Sequence, residues 1–495
     1  MMTNVQSNVP EQRIRAANAR PPRPEGVRVV YWMIASRRVR FNFALQRAAE
    51  WARHLGRPLL ILEALRSDYP WASDRLHRFI IDGMADTAAA LKRRNVTYLP
   101  YVEPENGAGK GLLEALAADG AVVVTDDFPA FFLPAMVSAA AEKIPVRLEA
   151  VDSNGLLPMA TADRDFATAY SFRRFLQKEL LVHVADMPLE DPLAEALPLP
   201  SPLPADTART WPAVTAGLLA GDRNALAGLP IDHSVDVVPT RGGSSAAARR
   251  MHDFLDDRLD RYRAERNRPE TEATSGLSPY LHFGHISAHE IFLETMRRQR
   301  WTPEDVVPPA NGRRAGWWGV GEDAEAFLDQ LITWRELGFN VCRNRPDYDR
   351  WESLPEWAAG TLSRHARDRR DHVYTTADFA NAATHDPLWN AVQNQLVREG
   401  TIHNYLRMLW GKKILEWTAE PREALEVMIE LNNRYALDGR DPNSYSGIFW
   451  VLGRHDRPWG PERPIFGTVR YMSSANTARK FPLRAYLERF GGSTP

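Results

Sequence analysis

The sequence has a single cysteine, Cys342, among its 495 residues. One cysteine excludes an intramolecular disulfide and any metal site built from several thiolates. No apolar run reaches the length of a membrane span, and the first 26 residues lack the hydrophobic segment of a secretory signal. We therefore expect a protein of the reducing cytoplasm with no membrane association, and we interpret residues 1–26 as a disordered tail.

An excess of charge of either sign is also missing, because 62 basic and 63 acidic side chains give a formal net charge of −1. Overall charge therefore demands no nucleic-acid partner. The distribution is uneven, since eight basic residues face three acidic ones from Val451 to the end. Such a local excess suits a phosphate backbone, and a solvated helix face explains it equally well. The 13 histidines form no HExxH motif, so we predict no metal site.

Apolar runs alternate with helical stretches over residues 27–155, a pattern typical of a doubly wound, Rossmann-like α/β domain with a parallel sheet. No GxGxxG follows the first run, so the usual dinucleotide site is not expected. The five runs that we predict to be strands are Val27–Trp32, Pro58–Glu63, Val96–Tyr101, Ala121–Thr125 and Val146–Val151.

Strand signals disappear in the second half of the chain. Residues 156–245 include a proline-rich stretch, Pro188–Pro204, and are predicted to form an interdomain linker with some helix. From residue 246 to 495 the apolar residues recur with helical spacing. The predicted fold class is thus α/β plus all-α, with an N-terminal sheet domain and a C-terminal all-helical domain.

Tryptophan is abundant, and 11 of the 15 tryptophans fall in the last 195 residues. Trp410 and Trp417 are seven residues apart, nearly two helical turns, so both indoles lie on one face of a helix. Trp389 precedes them, just after a proline suited to a helix start. Indoles are readily oxidised by one electron, so such a series can carry charge to a redox cofactor. The alternative is that these large side chains fill a core.

Three further groups of residues carry candidate chemistry. Tyr262 is followed by a stretch with three hydroxyls and a glycine, Thr274, Ser275, Gly276, Leu277 and Ser278. This pattern suits either a phosphate or an ordinary helix cap. Gln330 and Trp334 are four apart on one helix face, where an amide and an aromatic ring can meet one ligand. Finally, Asn432, Asp438 and Arg440 lie in a polar turn between apolar helices, and Arg407 supplies a cation that Asp438 can pair with.

Taken together, these stretches resemble DNA photolyases, and specifically class II cyclobutane pyrimidine dimer photolyases. The resemblance covers nearly all of residues 27–481. The blocks that carry it, in the family's order, are Val151–Pro158, Ala169–Glu179, Thr274–Ser287, Phe327–Asn340, His403–Thr418, Tyr435–Asn443 and Gly467–Phe481.

The resemblance implies an FAD cofactor inside the helical domain. Tyr262 and residues 274–278 would then hold its phosphates. Asn432 would face the flavin N5 edge with Arg440 as its partner, and Arg407 would pair with Asp438 beside the flavin ring. A polar edge and a nearby cation suit a reduced, anionic flavin.

The same resemblance gives roles to the tryptophans. Trp410, Trp389 and Trp417 match the series that carries electrons to the flavin. Trp334 and Trp450 match the pair that clamps a dimer flipped out of UV-damaged DNA, an extrusion that makes its cyclobutane bonds accessible. The implied activity is light-driven splitting of the dimer, and we expect a monomer.

Two departures from the family pattern concern specificity and light harvesting. At position 330 the resemblance to class II enzymes implies Glu, but this chain has Gln330. A glutamine side chain donates a hydrogen bond but cannot give up a proton. In the segment after the first strand, this chain has Phe41 where the family pattern implies an acidic residue, and Phe43 where it implies Trp. This segment borders the region that holds an antenna chromophore, so an antenna, for example of the 8-hydroxy-deazaflavin type, stays an open question.

Three alternative functions remain open at this point. Gln330 resembles the residue of (6-4) photolyases and of cryptochromes, which favours a different lesion or a blue-light photoreceptor. The short end of the chain after Phe481 counts against a signalling tail. In the third alternative the flavin site is degenerate.

Overall fold

The computed structural model describes residues 7–492, and the first of its two units is built around a six-stranded sheet. The sheet order is β1–β6–β5–β2–β3–β4, in which only β1 is antiparallel to its neighbour. This confirms the predicted doubly wound parallel sheet. The strands are β1 (Ile14–Ala16), β2 (Val29–Trp32), β3 (Leu59–Leu65), β4 (Val96–Val102), β5 (Val122–Asp126) and β6 (Arg147–Val151).

The sheet is buried because its central strands are apolar on both faces, as parallel strands covered by helices require. The helix Phe43–Leu55 packs against it and begins at Asn42, whose side chain accepts a hydrogen bond from the N–H of Leu45. Phe43 is fully buried in this core, and its ring meets His289 edge-on at 5.4 Å. Phe43, which stands where the family pattern implies Trp, therefore packs in the core of the sheet.

The prediction of a disordered tail over residues 1–26 is wrong for the part that the structure describes. β1 adds an edge strand to the sheet beside β6, and Val9 and Arg13 are buried. The Arg13 guanidinium donates to the carbonyls of Gly155, at 3.0 Å, and Leu156, at 2.6 Å. Backbone pairing and a buried arginine thus fix a segment whose arginine and proline content indicated disorder. Residues 1–6 lie outside the described part.

The second unit is helical, and every strand of residues 7–492 lies in the first unit. The first comprises residues up to Ala162, Glu179–His252 and Leu277–Arg298; the second comprises Asp163–Lys178, Asp253–Gly276 and the residues from Gln299 onward. The single boundary predicted near residue 246 differs from this division. Leu277–Arg298 belongs with the sheet because residues such as His289 pack into its core.

The helices have the following bounds. In the first unit they are Phe43–Leu55, Asp74–Leu91, Leu112–Ala118, Leu133–Lys143, Ala205–Thr210, Ala216–Ala220, Arg223–Ala227, Ser278–His282 and Ala288–Arg298. In the second they are Tyr262–Glu265, Glu322–Leu328, Arg335–Asn344, Glu356–Arg364, Thr376–Ala380, Pro387–Glu399, Asn404–Trp417, Pro421–Tyr435, Pro442–Val451, Ser474–Lys480 and Arg484–Phe490, with a π-helix at Asp329–Trp334. Ala169–Val184 and Ser244–Asp257 contribute residues to both units.

Across residues 7–492, no helix combines the length and the apolar character that crossing a membrane requires.

Candidate functional site

Two helices of the second unit, one that follows Trp334 and one that carries Trp450, pack closely against each other. The helix Arg335–Asn344 follows Trp334 directly, and Trp450 lies in the last turn of the helix Pro442–Val451. At Gly338, a Cβ would stand 2.7 Å from the carbonyl oxygen of Pro442. Only glycine permits this approach, so a residue without a side chain brings the two tryptophan-bearing helices together.

Gln330 and Trp334 lie in a six-residue π-helix rather than in a continuous α-helix. The N–H of Arg335 donates to the carbonyl of Gln330, five residues back, which is the π pattern. Residues four apart complete nearly one π turn, so both side chains leave the same side. Leu331, Ile332 and Thr333 between them are buried, whereas Gln330 and Trp334 are half-buried. π turns of this kind are frequent at functional sites.

Trp450 is also half-buried and has cations on its ring. The Lys412 Nζ lies 5.9 Å from the centroid of the indole, and the guanidinium carbon of Arg470 lies 5.6 Å from it. The Arg470 guanidinium also stacks on Trp459 at 5.0 Å. Cations at an aromatic face are attracted by the ring quadrupole and hold the indole in place.

The three tryptophans of the predicted electron-transfer series lie together in the core of the second unit. Trp389, Trp410 and Trp417 are all buried. The indole N–H of Trp389 donates to the backbone carbonyl of Trp410 at 3.1 Å, and the rings of Trp389 and Trp417 are 6.1 Å apart. The indole N–H of Trp410 donates to Gln393 Oε1 at 2.9 Å. The structure therefore brings together the three residues that the sequence placed on two helices.

One end of this series approaches the surface at Trp417. Its ring lies 5.9 Å from that of Tyr374 and 4.9 Å from that of His385, and Lys413 Nζ stands 5.2 Å above it. Burial, followed by the charge of His372, lowers the pKa of His385. Tyr374 is not among the predicted site residues, because nothing near it in the sequence links it to Trp417.

The polar turn after the helix Pro421–Tyr435 folds back over that helix end. Asn432, which was predicted to lie in this turn, lies instead in the last turn of the helix, where it is buried and donates to the Ser444 hydroxyl at 2.8 Å. Arg440, whose φ is 66°, donates its backbone N–H to Asn433 Oδ1 at 2.9 Å and its guanidinium to the Asn433 and Leu437 carbonyls. The role of Arg440 as partner of Asn432 stays a prediction, since the contacts seen for its guanidinium are with backbone carbonyls.

The predicted ion pair is present. Arg407 Nη2 lies 2.9 Å from Asp438 Oδ1, and both side chains are largely buried. In the adjacent helix, a Cβ at Gly447 would meet no atom within 4 Å although that residue is half-buried. The buried Asn432 amide and the Arg407–Asp438 ion pair are polar groups of the kind that suit a flavin ring, and Gly447 leaves open space beside its own helix.

The predicted phosphate-binding residues fall on either side of a unit boundary. Tyr262 is buried in the second unit, where its ring meets those of Phe254 and Phe327 edge-on at 5.6 Å. Thr274, Ser275 and Gly276 belong to the same unit, and Gly276 has a φ of 66°. Leu277 and Ser278 belong to the first unit, where Ser278 begins a short helix.

A second cluster of aromatic residues lies in the first unit, beyond the carboxyl ends of β3 and β5. Tyr69, Trp71, Phe131 and Phe132 are half-buried, and their ring centroids lie 4.7–6.2 Å apart in stacked and edge-on pairs. Trp71 and Phe131 have φ values of 65° and 61°, which cost energy for bulky side chains. Strained backbone of this kind concentrates at ligand sites. No sequence signal pointed to this cluster.

Comparison with known proteins gives relatives over nearly the whole chain, although no family model matches it. The chain is 35% identical over 483 residues to a deoxyribodipyrimidine photolyase of Methanothermobacter thermautotrophicus, covering 97% of this chain and 98% of that protein. It is 35% identical over 494 residues to the enzyme of that name from Oryza sativa subsp. japonica, covering 96% and 89%. The corresponding protein of Potorous tridactylus is 32% identical over 464 residues, covering 92% and 80%.

A solved structure supports the fold independently. The crystal structure of a class III photolyase from Agrobacterium tumefaciens superimposes with a TM-score of 0.67, covering 94% of this chain and 86% of that one. At 18% identity this likeness concerns the fold alone.

Proposed function

The chain belongs to the deoxyribodipyrimidine photolyase family of lyases, and we propose that it splits cyclobutane pyrimidine dimers in UV-damaged DNA with the energy of light. The observation that carries the choice of substrate is the pair of half-buried indoles, Trp334 and Trp450, on helices that meet at Gly338. We call these two residues the tryptophan clamp.

A clamp of this kind suits a dimer that has left the double helix. Base stacking on an aromatic side chain contributes about 1–3 kcal/mol per base. Unstacking costs a few kcal/mol and is least costly for a damaged step. Two indoles therefore supply enough energy to hold a flipped dimer and to favour it over intact bases. Gln330, on the same side of its helix as Trp334, adds a hydrogen-bond donor next to the clamp.

FAD is the cofactor that we propose for this site. Arg407 and Asp438 would lie beside its ring, the Asn432 amide would face its N5 edge, and Tyr262 and residues 274–276 would take its phosphates. When bound and reduced, FAD supplies under blue light the electron that opens the cyclobutane ring and that afterwards returns. A contribution from Leu277 and Ser278 stays a prediction, as do the monomeric state and a cytoplasmic location.

The buried tryptophan series would keep the cofactor reduced. Trp410, Trp389 and Trp417 would pass electrons inward, and burial excludes water from the indoles of Trp410 and Trp389. The half-exposed Tyr374 and the exposed His385 beside Trp417 mark the end of the series at which an external reductant can act.

For an antenna chromophore we propose the aromatic cluster formed by Tyr69, Trp71, Phe131 and Phe132. Half-buried aromatic faces suit a planar ring system of the deazaflavin type. The chemistry it supplies is absorption of light and energy transfer. Adding 8-hydroxy-deazaflavin to the protein tests this: its fluorescence should be quenched on binding, and a Trp71→Ala variant should lose the effect. Unquenched fluorescence with the intact protein would refute it.

Anaerobic photorepair tests the main proposal. Photoreduced, FAD-loaded protein is mixed with oligonucleotides that carry one cyclobutane dimer or one (6-4) lesion, and restored thymine is quantified in blue light and in darkness. We expect light-dependent repair of the cyclobutane dimer alone. The variant Gln330→Glu should repair at least as fast, because a protonated glutamic acid can give up a proton to the dimer, which a glutamine amide cannot.

The other outcomes of this experiment discriminate the alternatives. Repair of the (6-4) lesion only would assign the different substrate that Gln330 suggested. Normal photoreduction of the flavin without repair of either lesion would refute the lyase and favour a photoreceptor. The clamp itself is tested by the variant Trp450→Ala, which should lose affinity for the dimer while it retains flavin.

A further inference from the structure

Lys412 is a lysine with no solvent exposure, although lysine is among the residues least often buried. It lies on the helix Asn404–Trp417, between two members of the tryptophan series, but neither the electron series nor the proposed flavin site uses it. Its Nζ donates to the backbone carbonyl of Val451 and lies 5.9 Å from the ring centroid of Trp450. Both contacts therefore reach the helix end that carries one half of the tryptophan clamp.

The helix Asn404–Trp417 approaches that helix end closely enough for this contact. At Gly411 a Cβ would stand 2.7 Å from a Val451 methyl group and 3.0 Å from the sulfur of Met428. The absence of a side chain at Gly411 thus allows the neighbouring Lys412 to reach the carbonyl of Val451.

The last carbonyls of a helix lack partners within the helix and carry partial negative charge. A cation that donates to one of them stabilises the final turn. In the helix Pro442–Val451, that turn contains Trp450. The same ammonium lies against the indole, where a desolvated cation–π contact is stronger than an exposed one. One side chain thus fixes both the backbone and the ring of the clamp residue.

We infer that Lys412 is a positioning residue for dimer recognition, which holds Trp450 in the orientation that stacks on the lesion. This inference rests on the proposed function, since it gives Lys412 a role only if Trp450 contacts the dimer. It is distinct from a general stabilising role because it predicts an effect on damaged DNA and none on undamaged DNA.

The surroundings of Lys412 make this role sensitive to pH. Burial lowers the pKa of Lys412 to about 7, the charge of Asp456 opposes this shift, and that of Arg470 adds to it. These two side chains are the charged groups that act on Lys412 from the segment following Trp450. As pH rises through about 7 the ammonium loses its charge, and its hold on the carbonyl and on the indole weakens.

Binding measurements test the inference through three variants. Lys412→Met keeps the length of the side chain but removes the charge, and we expect about a tenfold loss of affinity for a dimer-containing oligonucleotide, with unchanged affinity for the intact one. Lys412→Arg restores a cation and should recover most of the loss. Lys143→Met makes the same substitution at an exposed lysine of the first unit and should change neither affinity.

A spectroscopic measurement without DNA provides an independent readout. The protein is labelled with 5-fluorotryptophan, and the ¹⁹F resonance of Trp450 is identified by its loss in Trp450→Phe. We expect this resonance to titrate near pH 7 in the unmodified chain and to stay constant in Lys412→Met. The titration of the unmodified chain tests the inference even if the methionine variant does not fold.

The results separate this inference from the proposed function. If Trp450→Ala does not weaken dimer binding, the proposed clamp is wrong. If Trp450→Ala weakens binding but Lys412→Met does not, only the role of Lys412 is refuted. A Trp450 resonance that is constant between pH 6 and pH 8 in the unmodified chain would also refute it.

Discussion

The close approach of helices at Gly338 can be tested by adding one methyl group. In Gly338→Ala the new Cβ would stand 2.7 Å from the Pro442 carbonyl oxygen, 2.8 Å from its carbonyl carbon and 2.9 Å from the Asn443 Cα. All three are backbone atoms, which cannot rotate away as a flexible side chain can. The helix Arg335–Asn344 must therefore move away from the helix Pro442–Val451.

Two opposing terms set the magnitude. Alanine is favoured over glycine within a helix by about 1 kcal/mol. Overpacking a close contact costs about 1–3 kcal/mol, and three backbone contacts place this site at the upper end. We therefore expect a net loss of about 2 kcal/mol in the free energy of unfolding of the second unit. For a unit of this size the loss lowers Tm by about 4–8 °C.

A matched control separates this effect from helix propensity. In Gly360→Ala the Cβ would meet only the end of the Arg364 side chain, at 3.8 Å, within the helix Glu356–Arg364. Without a steric cost, this variant should gain about 0.5–1 kcal/mol. Thermal unfolding followed by calorimetry compares the two variants with the unmodified chain.

The same movement should impair repair, because Trp334 directly precedes one of the two helices that separate and Trp450 lies on the other. A displacement of about 1 Å in a positioned group can cost on the order of 100-fold in rate. We expect Gly338→Ala to bind the dimer about tenfold less tightly or worse, and Gly360→Ala to bind it normally. If Gly338→Ala is as stable as the control and binds the dimer equally well, the close contact at Gly338 does not position the clamp.

Three further predictions concern the electron series, a histidine and the ion pair. Trp389→Phe should abolish light-driven flavin reduction while chemically reduced protein still repairs dimers, and transient absorption with a repair assay checks both. A hydrogen bond to Asp368, and secondly one to Glu462, raises the pKa of His365 above 6.5. The stability that these bonds contribute is therefore complete below pH 6.5 and is lost as the pH rises through the raised pKa. The variant His365→Gln should remove this part of the dependence of Tm on pH. Asp438→Asn leaves a largely buried arginine without its anion, and we expect a loss of about 1–2 kcal/mol together with weaker flavin retention, measured by denaturation and absorbance.

The sheet could be predicted because its signal is local and repeated. Each predicted apolar run became a strand whose bounds differ by at most two residues, as Val146–Val151 and β6 show. Parallel strands buried on both faces must be apolar throughout, so sequence alone marks them. β1 has only three residues, Ile14–Ala16, and none of them is fully buried. Its pairing depends on β6, far away in the chain, and no local pattern carries that information.

The candidate site likewise has parts that the sequence predicted and parts that it did not. The resemblance placed Trp389, Trp410 and Trp417 in one series, and the structure brings them together. The π turn at Asp329–Trp334 escaped prediction, because a single turn with bonds five residues apart has the same apolar pattern as an α-helix.

Lys412 escaped prediction for a stronger reason. Composition rules assign lysine to the surface, and the residues around Lys412 on its own helix do not contradict that assignment. Its burial follows from Gly411, which lets Val451 approach, and from a carbonyl that becomes a partner only when two helices separated by the whole helix Pro421–Tyr435 pack together. A rule about residue types averages over such arrangements. The side chains that break the rule are therefore those in which tertiary structure adds chemistry that the sequence does not show.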